Sequence, residues 1–123
     1  MADSLLIVDD ARFARLMIRS YIERLRPGAT ILEASDGQEA LAVIERTDTL
    51  DWCTIDYNMP GDNGLVVAEK IRALRPNTRL AVITANVQDA LRQRIAEAGI
   101  HFIAKPVTEA KLAAFFGGQG GSP

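Results

Sequence analysis

The chain has 123 residues, of which 48% are hydrophobic and 24% are charged, and this size and composition predict one globular domain rather than a disordered chain. Its formal net charge of -2 argues against nucleic-acid binding, because no basic surface field would attract phosphates. The sequence has neither a basic flank at its amino terminus nor an apolar run of about 18 residues, so we expect a cytoplasmic protein without membrane contact.

Short apolar runs, each typical of a buried strand, recur along the whole sequence. They span residues 5–8, 30–32, 52–55, 80–83 and 102–104. The runs do not alternate with polar residues, which predicts strands buried on both faces of a sheet. Cys53 lies in the third run and is the single cysteine, so the chain cannot form an internal disulfide, and we expect a buried, unreactive thiol.

Apolar residues at helical spacing predict a helix after each strand. The predicted helices cover residues 14–25, ended by Pro27-Gly28, then about 40–44, 67–74, 90–95 and about 108–116. Thr108 is the predicted N-cap of the last helix, and Phe115 and Phe116 are expected to cover the core. The segment 117–123 is rich in glycine and has the composition of a flexible tail or linker, which leaves residues 1–116 as the domain.

Alternation of strands and helices predicts an α/β fold, in which a doubly wound five-stranded parallel sheet carries helices on both faces. Ligands of such sheets bind at the carboxyl ends of the strands. Polar residues stand at these ends: Asp9 and Asp10 after the first strand, Asp56 after the third, Thr84 after the fourth and Lys105 after the fifth. We therefore expect these residues to meet at one edge of the sheet.

Three carboxylates in close proximity repel one another, and a divalent cation relieves this repulsion. Oxygen ligands with water in the remaining positions suit Mg2+. An alternative is that Asp9 or Asp10 caps the first helix. The adjacent pair together with Asp56 favours the metal site. Asp56 can also be a nucleophile that forms an aspartyl phosphate.

Two further side chains suit a phosphoryl group bound at Asp56. Lys105 supplies a compact positive charge that can pair with a phosphoryl oxygen. Thr84 supplies a hydroxyl donor that we expect to lack an acceptor until that group arrives. Asp56, Thr84 and Lys105 are therefore the residues expected to act directly in the chemistry.

Taken together, these motifs resemble the receiver domains of two-component response regulators and are similar to the single-domain chemotaxis regulators among them. The resemblance covers residues 5 to about 116. It rests on Asp9-Asp10, on Asp56-x-x-Met59-Pro60 with Gly64, on Thr84-Ala85 and on Lys105-Pro106. It implies a flavodoxin-like strand order of 2-1-3-4-5.

The same resemblance implies specific roles for residues of the site. Asp56 would be the phosphoacceptor. Direct Mg2+ ligands would be Asp10, Asp56 and the backbone carbonyl of Asn58, with Asp9 bridged to the ion mainly through water. Thr84 and Phe102 match the family's hydroxyl and aromatic switch positions.

The function implied is a signalling switch that takes a phosphoryl group from a histidine kinase or a histidine phosphotransfer protein. It would act on a downstream protein through its fourth helix, fifth strand and last helix. The alternative is a Mg2+-dependent phosphohydrolase with an aspartyl-phosphate intermediate. Such enzymes generally carry a second acid two residues after the nucleophile, where this chain has Asn58.

Two groups of basic residues have ambiguous roles in the sequence. His101 is the only histidine, and we interpret it as a solvated loop residue because no carboxylate partner is evident beside it. Arg12, Arg15, Arg19 and Arg24 on the first helix are interpreted as a solvated face. The alternative for these arginines is a contact surface for the phosphodonor protein.

Overall fold

The computed structural model describes residues 3–117. They form a five-stranded parallel sheet in the order β2-β1-β3-β4-β5, which confirms the predicted fold. The strands are β1 Ser4–Val8, β2 Thr30–Ala34, β3 Trp52–Asp56, β4 Arg79–Thr84 and β5 His101–Ala104. The helices are α1 Arg12–Leu25, α2 Gly37–Glu45, α3 Gly64–Leu74, α4 Asp89–Glu97 and α5 Glu109–Phe116. Most of the predicted tail, 118–123, lies outside the described residues, and the domain boundary stays a prediction.

Side chains on alternate sides of each strand supply two separate cores. In β1, Leu6 and Val8 pack with α2, α3 and α4, whereas Leu5 and Ile7 pack with α1 and α5. This follows from the period of two along a strand. Cys53 is fully buried as predicted, and this burial raises the pKa of its thiol.

The outer strands β2 and β5 are only partly buried, so the prediction of burial on both faces was wrong for them. An outer strand has a neighbour on one side only, and the helices cover it incompletely. His101 was also interpreted wrongly, because it begins β5 and is half-buried with its ring centroid 5.1 Å from that of Phe115. Burial lowers the pKa of His101, and the charge of Arg79 lowers it further.

Three helices begin with a side-chain cap. Asp36 accepts a hydrogen bond from the backbone N–H of Glu39 in α2, Asn63 caps α3, and Thr108 caps α5 as predicted. By contrast, α1 and α4 begin without a side-chain cap. The N-cap of α1 is Ala11, so neither aspartate of the adjacent pair occupies that position.

Three of the four arginines on α1 form ion pairs, and Arg24 does so with Glu109 at a distance of 2.7 Å. The Nε atoms of Arg15 and Arg19 each lie 2.8 Å from a carboxylate oxygen of Glu33, which lies on strand β2. Burial alone would raise the pKa of Glu33, but the hydrogen bonds and charges of these arginines outweigh it and lower the pKa. The interpretation as a solvated face was therefore wrong for Arg15 and Arg19, whereas Arg24 is paired but remains exposed to solvent.

No helix among residues 3–117 combines the length and the apolar character needed to cross a membrane.

Candidate functional site

The strand register brings the predicted site residues to one edge of the sheet. Asp56 is opposite Ile83, and the next backbone N–H, that of Tyr57, donates to the Ile83 carbonyl at 2.8 Å. The backbone N–H of Lys105 donates to the carbonyl of Thr84 at 3.0 Å. The ends of β3, β4 and β5 are thereby aligned, while β1 lies on the other side of β3.

Asp9, Asp10 and Asp56 form an acidic cluster, in which one carboxylate oxygen from each residue lies within 4.8 Å of the other two. Asp9 and Asp56 are each 3% exposed, and Asp10 is exposed. Burial raises the pKa of Asp9, and the charges of Asp56 and Asp10 add to this. The backbone N–H of Ala11, which donates to Asp9 Oδ1 at 2.9 Å, opposes the rise. Such a cluster favours a cation.

Asp56 retains capacity for a ligand. Its buried Oδ1 atom has the Lys105 ammonium group 2.8 Å away, and one such contact leaves lone pairs of the carboxylate for a cation. The atoms of the acidic cluster that could bind a metal ion are all carboxylate oxygens, which suit Mg2+. Asn58 is exposed in the loop two residues after Asp56, and its backbone carbonyl oxygen is the fourth predicted ligand. The residues present therefore fit a magnesium ion.

Gly64 allows α3 to begin directly behind Asp56. Its backbone N–H donates to the carbonyl of Tyr57 at 2.9 Å. A Cβ atom at this position would lie 2.4 Å from the Asp56 carbonyl oxygen, closer than real contacts allow. A larger residue would displace the loop that follows the predicted phosphoacceptor.

The two predicted switch residues lie on adjacent strands and on the same face of the sheet. Thr84 is opposite Ala104, and Phe102 is opposite Val82, two positions earlier on each strand. Thr84 is fully buried, and its Oγ1 accepts a hydrogen bond from the backbone N–H of Asn86 at 3.0 Å. Phe102 is half-buried, and the guanidinium group of Arg92 lies 5.0 Å from its ring centroid.

Arg15 is a site residue that sequence reasoning missed. Its Nη1 atom donates to the backbone carbonyl of Asp9 at 2.5 Å, while its Nε atom pairs with Glu33. Arg15 thus connects the start of the acidic cluster to β2. Its position one turn into α1, close after Asp9, was the one signal in the sequence that pointed to the site. Its pairing with Glu33 could not be predicted, because it depends on how α1 packs against β2.

An apolar groove opens beside the acidic cluster, between α1 and the segment that follows β5. It has a volume of about 460 Å3, and its lining includes Asp9, Met17, Lys105 and Pro106. Next to it, α1 exposes large apolar side chains, with Phe13 71% and Leu16 60% exposed. The Lys105-Pro106 peptide bond at the groove is cis.

Comparisons with known proteins agree with this geometry. Residues 5–116 match the model of the response regulator receiver domain. The chain is 32% identical to the chemotaxis protein CheY of Thermotoga maritima, covering 91% of this chain and 92% of that protein. It is 33% identical to the cyclic di-GMP phosphodiesterase response regulator RpfG of Xanthomonas campestris, covering 90% of this chain but only 30% of that longer protein.

Solved structures agree as well. The CheX-CheY-BeF3-Mg2+ complex from Borrelia burgdorferi contains a chain with a TM-score of 0.83 and 27% identity, and the match covers 93% of this chain and 86% of that one. The motifs, the sheet order and the family match lead to the same result. The chain belongs to the family of response regulator receiver domains.

Proposed function

We propose that this receiver domain is a phosphorylation-dependent switch of a two-component phosphorelay, with Asp56 as the phosphoacceptor. The observation that carries the proposal is the buried Asp56 carboxylate, which lies in the acidic cluster and 2.8 Å from Lys105. Carboxylates form aspartyl phosphates in enzymes. In the transfer, the N–P bond of a phosphohistidine breaks and an O–P bond to Asp56 forms, while the donor imidazole keeps the electron pair.

The acidic cluster and the Asn58 carbonyl would hold Mg2+, which supplies positive charge between the carboxylates and the phosphoryl oxygens when bound. Lys105 neutralises a further phosphoryl oxygen and keeps the anion in place. The hydroxyl group of Thr84 donates a hydrogen bond to another phosphoryl oxygen. Positioning and charge stabilisation are the main contributions that a protein makes to phosphoryl transfer.

The same residues would also allow the phosphoryl group to be hydrolysed slowly without a second protein. Asn58 and Asn86 are exposed, small and polar, and stand two residues after Asp56 and Thr84. Neither side chain is bulky enough to exclude an attacking water molecule from the edge of the sheet. The proposed switch is therefore self-resetting, and its catalysis is directed at itself.

The proposed phosphodonor is a histidine kinase or a histidine phosphotransfer protein in the cytoplasm. The apolar surface of α1, formed by Phe13, Leu16 and Met17, adjoins the groove that leads to Asp9 and Lys105. Exposed apolar patches of this kind mark protein-binding surfaces. A donor helix on this surface would bring a phosphohistidine to the open side of the acidic cluster.

The proposed output surface comprises α4, β5 and α5, which would bind a downstream protein. The helix α4 has no side-chain cap and buries only Leu91 and Ile95 among its nine residues. Few buried contacts make an element easy to shift. The CheX-CheY-BeF3-Mg2+ complex from Borrelia burgdorferi supports both the ligand chemistry and a protein partner for this family.

Incubation with acetyl phosphate and Mg2+, followed by intact-mass measurement, tests the proposal. The wild type should gain one phosphoryl group per chain, and Asp56→Asn should gain none, because its amide lacks the attacking anionic oxygen. Asp62→Asn, which changes an exposed aspartate in the same loop, is the matched control and should be phosphorylated. A phosphorylated Asp56→Asn protein would refute the assignment.

The same reaction distinguishes the alternative, a Mg2+-dependent phosphohydrolase with an aspartyl-phosphate intermediate. A hydrolase would release many equivalents of inorganic phosphate per chain, whereas a switch accumulates the phosphorylated form. The exposed amide of Asn58 stands where such enzymes generally carry a second acid, and this supports the switch.

A further inference from the structure

A second groove lies away from the acidic cluster, at the amino ends of β4 and β5. Its volume is about 750 Å3. The titratable and basic side chains that line it come from four elements: Arg72 from α3, Arg79 from β4, Arg92 from α4 and His101 from β5. Among the described residues, no aspartate or glutamate lines it. We call it the basic groove.

The three arginines of the basic groove are not neutralised by carboxylates. Within residues 3–117, none of them forms an ion pair. Arg72 instead donates to the backbone carbonyls of Ala98 and Gly99. These contacts hold the Arg72 guanidinium in one place and leave its charge available.

Aromatic rings position the other two guanidinium groups. Arg79 lies 5.0 Å from the ring centroid of Trp52, and Arg92 lies 5.0 Å from that of Phe102. Cation–π contacts orient a guanidinium without cancelling its charge. The side chains of Arg79 and Arg92 are exposed, so their hydrogen-bond donors can reach a ligand. Arginine forks match the geometry of carboxylates.

The basic groove wraps around the amino end of the outer strand β5. Arg79 contacts Trp52 on the side of the sheet that α5 covers, whereas Arg92 contacts Phe102 on the side that α4 covers. Within the described residues, β5 pairs through its backbone with β4 alone. An extended peptide can add to such an edge, with main-chain hydrogen bonds for affinity and side-chain contacts for specificity.

We propose that the basic groove binds an acidic peptide segment of a partner protein, with Arg79 and Arg92 as its principal carboxylate contacts. The groove overlaps the proposed output surface at α4 and β5, so the inference specifies the chemistry of that partner. Peptide binding does not require the proposed function, but its regulation rests on it.

Regulation follows from the ring of Phe102, which lines the basic groove beneath Arg92. If phosphorylation draws Phe102 toward Thr84, the ring no longer holds the Arg92 guanidinium over itself, and more orientations of its donors toward a carboxylate become accessible. The acidic peptide should therefore bind more tightly to the phosphorylated form, by about fivefold or more. By linkage, the peptide should strengthen the binding of a phosphoryl mimic by the same factor.

Fluorescence anisotropy with a labelled hexaglutamate peptide tests the groove directly. Arg79→Gln and Arg92→Gln should each weaken binding by about tenfold, the value of one charge-assisted hydrogen bond. The matched control is Arg46→Gln, which removes the same charge from an exposed residue after α2, outside the groove and the proposed output surface, and should retain most of the affinity. Equal losses in all three variants, or no binding to the wild type, would overturn the proposal.

A single-stranded thymidine oligonucleotide serves as the competing ligand class. It should bind more weakly than the peptide, and its binding should respond equally to Arg92→Gln and Arg46→Gln, because only the overall charge matters to it. Tighter binding of the oligonucleotide, with a specific dependence on Arg79 and Arg92, would assign the groove to nucleic acid and refute the peptide.

His101 gives a local readout because it is the only histidine in the chain. The charged groups that line the groove with it are Arg72, Arg79 and Arg92, and α5 contributes the ring of Phe115. Negative charge from a bound peptide should raise the pKa of His101, measured by NMR of its ring protons. Peptide binding that leaves this titration unchanged would place the peptide elsewhere and refute the proposal.

The two proposals fail separately. Phosphorylation of Asp56 without peptide binding would refute the basic groove alone. Peptide binding that depends on Arg79 and Arg92 in a chain that acetyl phosphate does not modify would refute the phosphorelay function and leave the groove intact. Peptide affinity that beryllofluoride and Mg2+ do not change, in a chain that acetyl phosphate does modify, would refute only the regulation through Phe102.

Discussion

The ammonium group of Lys105 lies 2.8 Å from Oδ1 of Asp56, although the strands that carry these residues are separated by β4. Lys105 follows β5 and reaches across the end of β4, where Thr84 lies. The Asp56 side chain is 4% exposed and that of Lys105 is 38% exposed. A phosphoryl group on Asp56 would therefore form within reach of a cation that is already in position.

Lys105→Met should slow phosphorylation by acetyl phosphate by about 100-fold, because one preorganised charge at the transferring group is lost. The free energy of unfolding should fall by about 1–3 kcal/mol, since the buried carboxylate loses its charged partner. Intact mass and urea denaturation measure the two effects. Lys70→Met, which breaks the exposed ion pair with Asp62, should change neither by much. Similar behaviour of the two variants would contradict the role of Lys105.

Mg2+ should raise the free energy of unfolding of the wild type by about 2.7 kcal/mol at a concentration of 100 times Kd, because it binds the folded state. Asp10→Ala should remove most of this gain. Without Mg2+ the same variant should be more stable than the wild type, because the acidic cluster loses one of its repelling charges. Thermal unfolding with Mg2+ and with a chelator checks both expectations. Asp48→Ala, at an exposed site outside the cluster, is the control, and an unchanged Mg2+ response in Asp10→Ala would exclude the site.

Glu33→Gln should destabilise the protein by about 0.5–1 kcal/mol at neutral pH, because Arg15 and Arg19 lose their shared carboxylate. Folding lowers the pKa of Glu33 from its ordinary value of 4.5, so the ionised carboxylate stabilises the folded state at every pH above about 4.5. This stabilisation is lost as the pH falls from about 4.5 through the pKa that Glu33 has in the folded protein. Urea unfolding at decreasing pH should therefore show the difference from wild type narrowing below about pH 4.5. Glu23→Gln, an exposed change on α1, should show no such trend.

The sheet and the acidic cluster were predictable because each depends on a rule that is local in sequence. Apolar runs marked the five strands, and parallel strands bring their carboxyl ends to one edge. The convergence of Asp9, Asp56 and Lys105 followed from this geometry alone. The roles of Asn58, Thr84 and Phe102 depend on the family resemblance and remain predictions.

The contacts that could not be predicted depend on how helices pack against strands. The pairing of Arg15 with Glu33 requires the position of α1 relative to β2, which no periodicity specifies. The burial of His101 depends on the placement of Phe115 from α5, and the contact of Arg92 with Phe102 depends on the rotation of α4. Arg15 and His101 were assigned to solvent from the sequence, because basic side chains are rarely buried without a partner and the sequence shows none beside them.

Phosphorylation should shift Phe102 between two packed arrangements, and the shift should be incomplete. The Oγ1 atom of Thr84 accepts from the Asn86 N–H, and its own hydrogen is available for a phosphoryl oxygen on Asp56. Rotation of the hydroxyl toward that oxygen would leave space into which Phe102 can move along the shared face of the sheet. A change from 1:99 to 99:1 requires about 5.5 kcal/mol of differential binding.

One hydrogen bond to a charged group supplies about 1.5–3 kcal/mol, which is not enough for a complete shift. Lys105 adds little, because it already contacts Asp56 before phosphorylation. NMR with beryllofluoride and Mg2+ should therefore give shifts in α4, β5 and α5 that lie between two end states. Thr84→Ala should still bind the mimic but lose most of the distant shifts, whereas Thr108→Ala, which removes a hydroxyl from the α5 cap instead, should retain them. Full-size distant shifts in Thr84→Ala would show that the signal leaves Asp56 by a route other than Phe102.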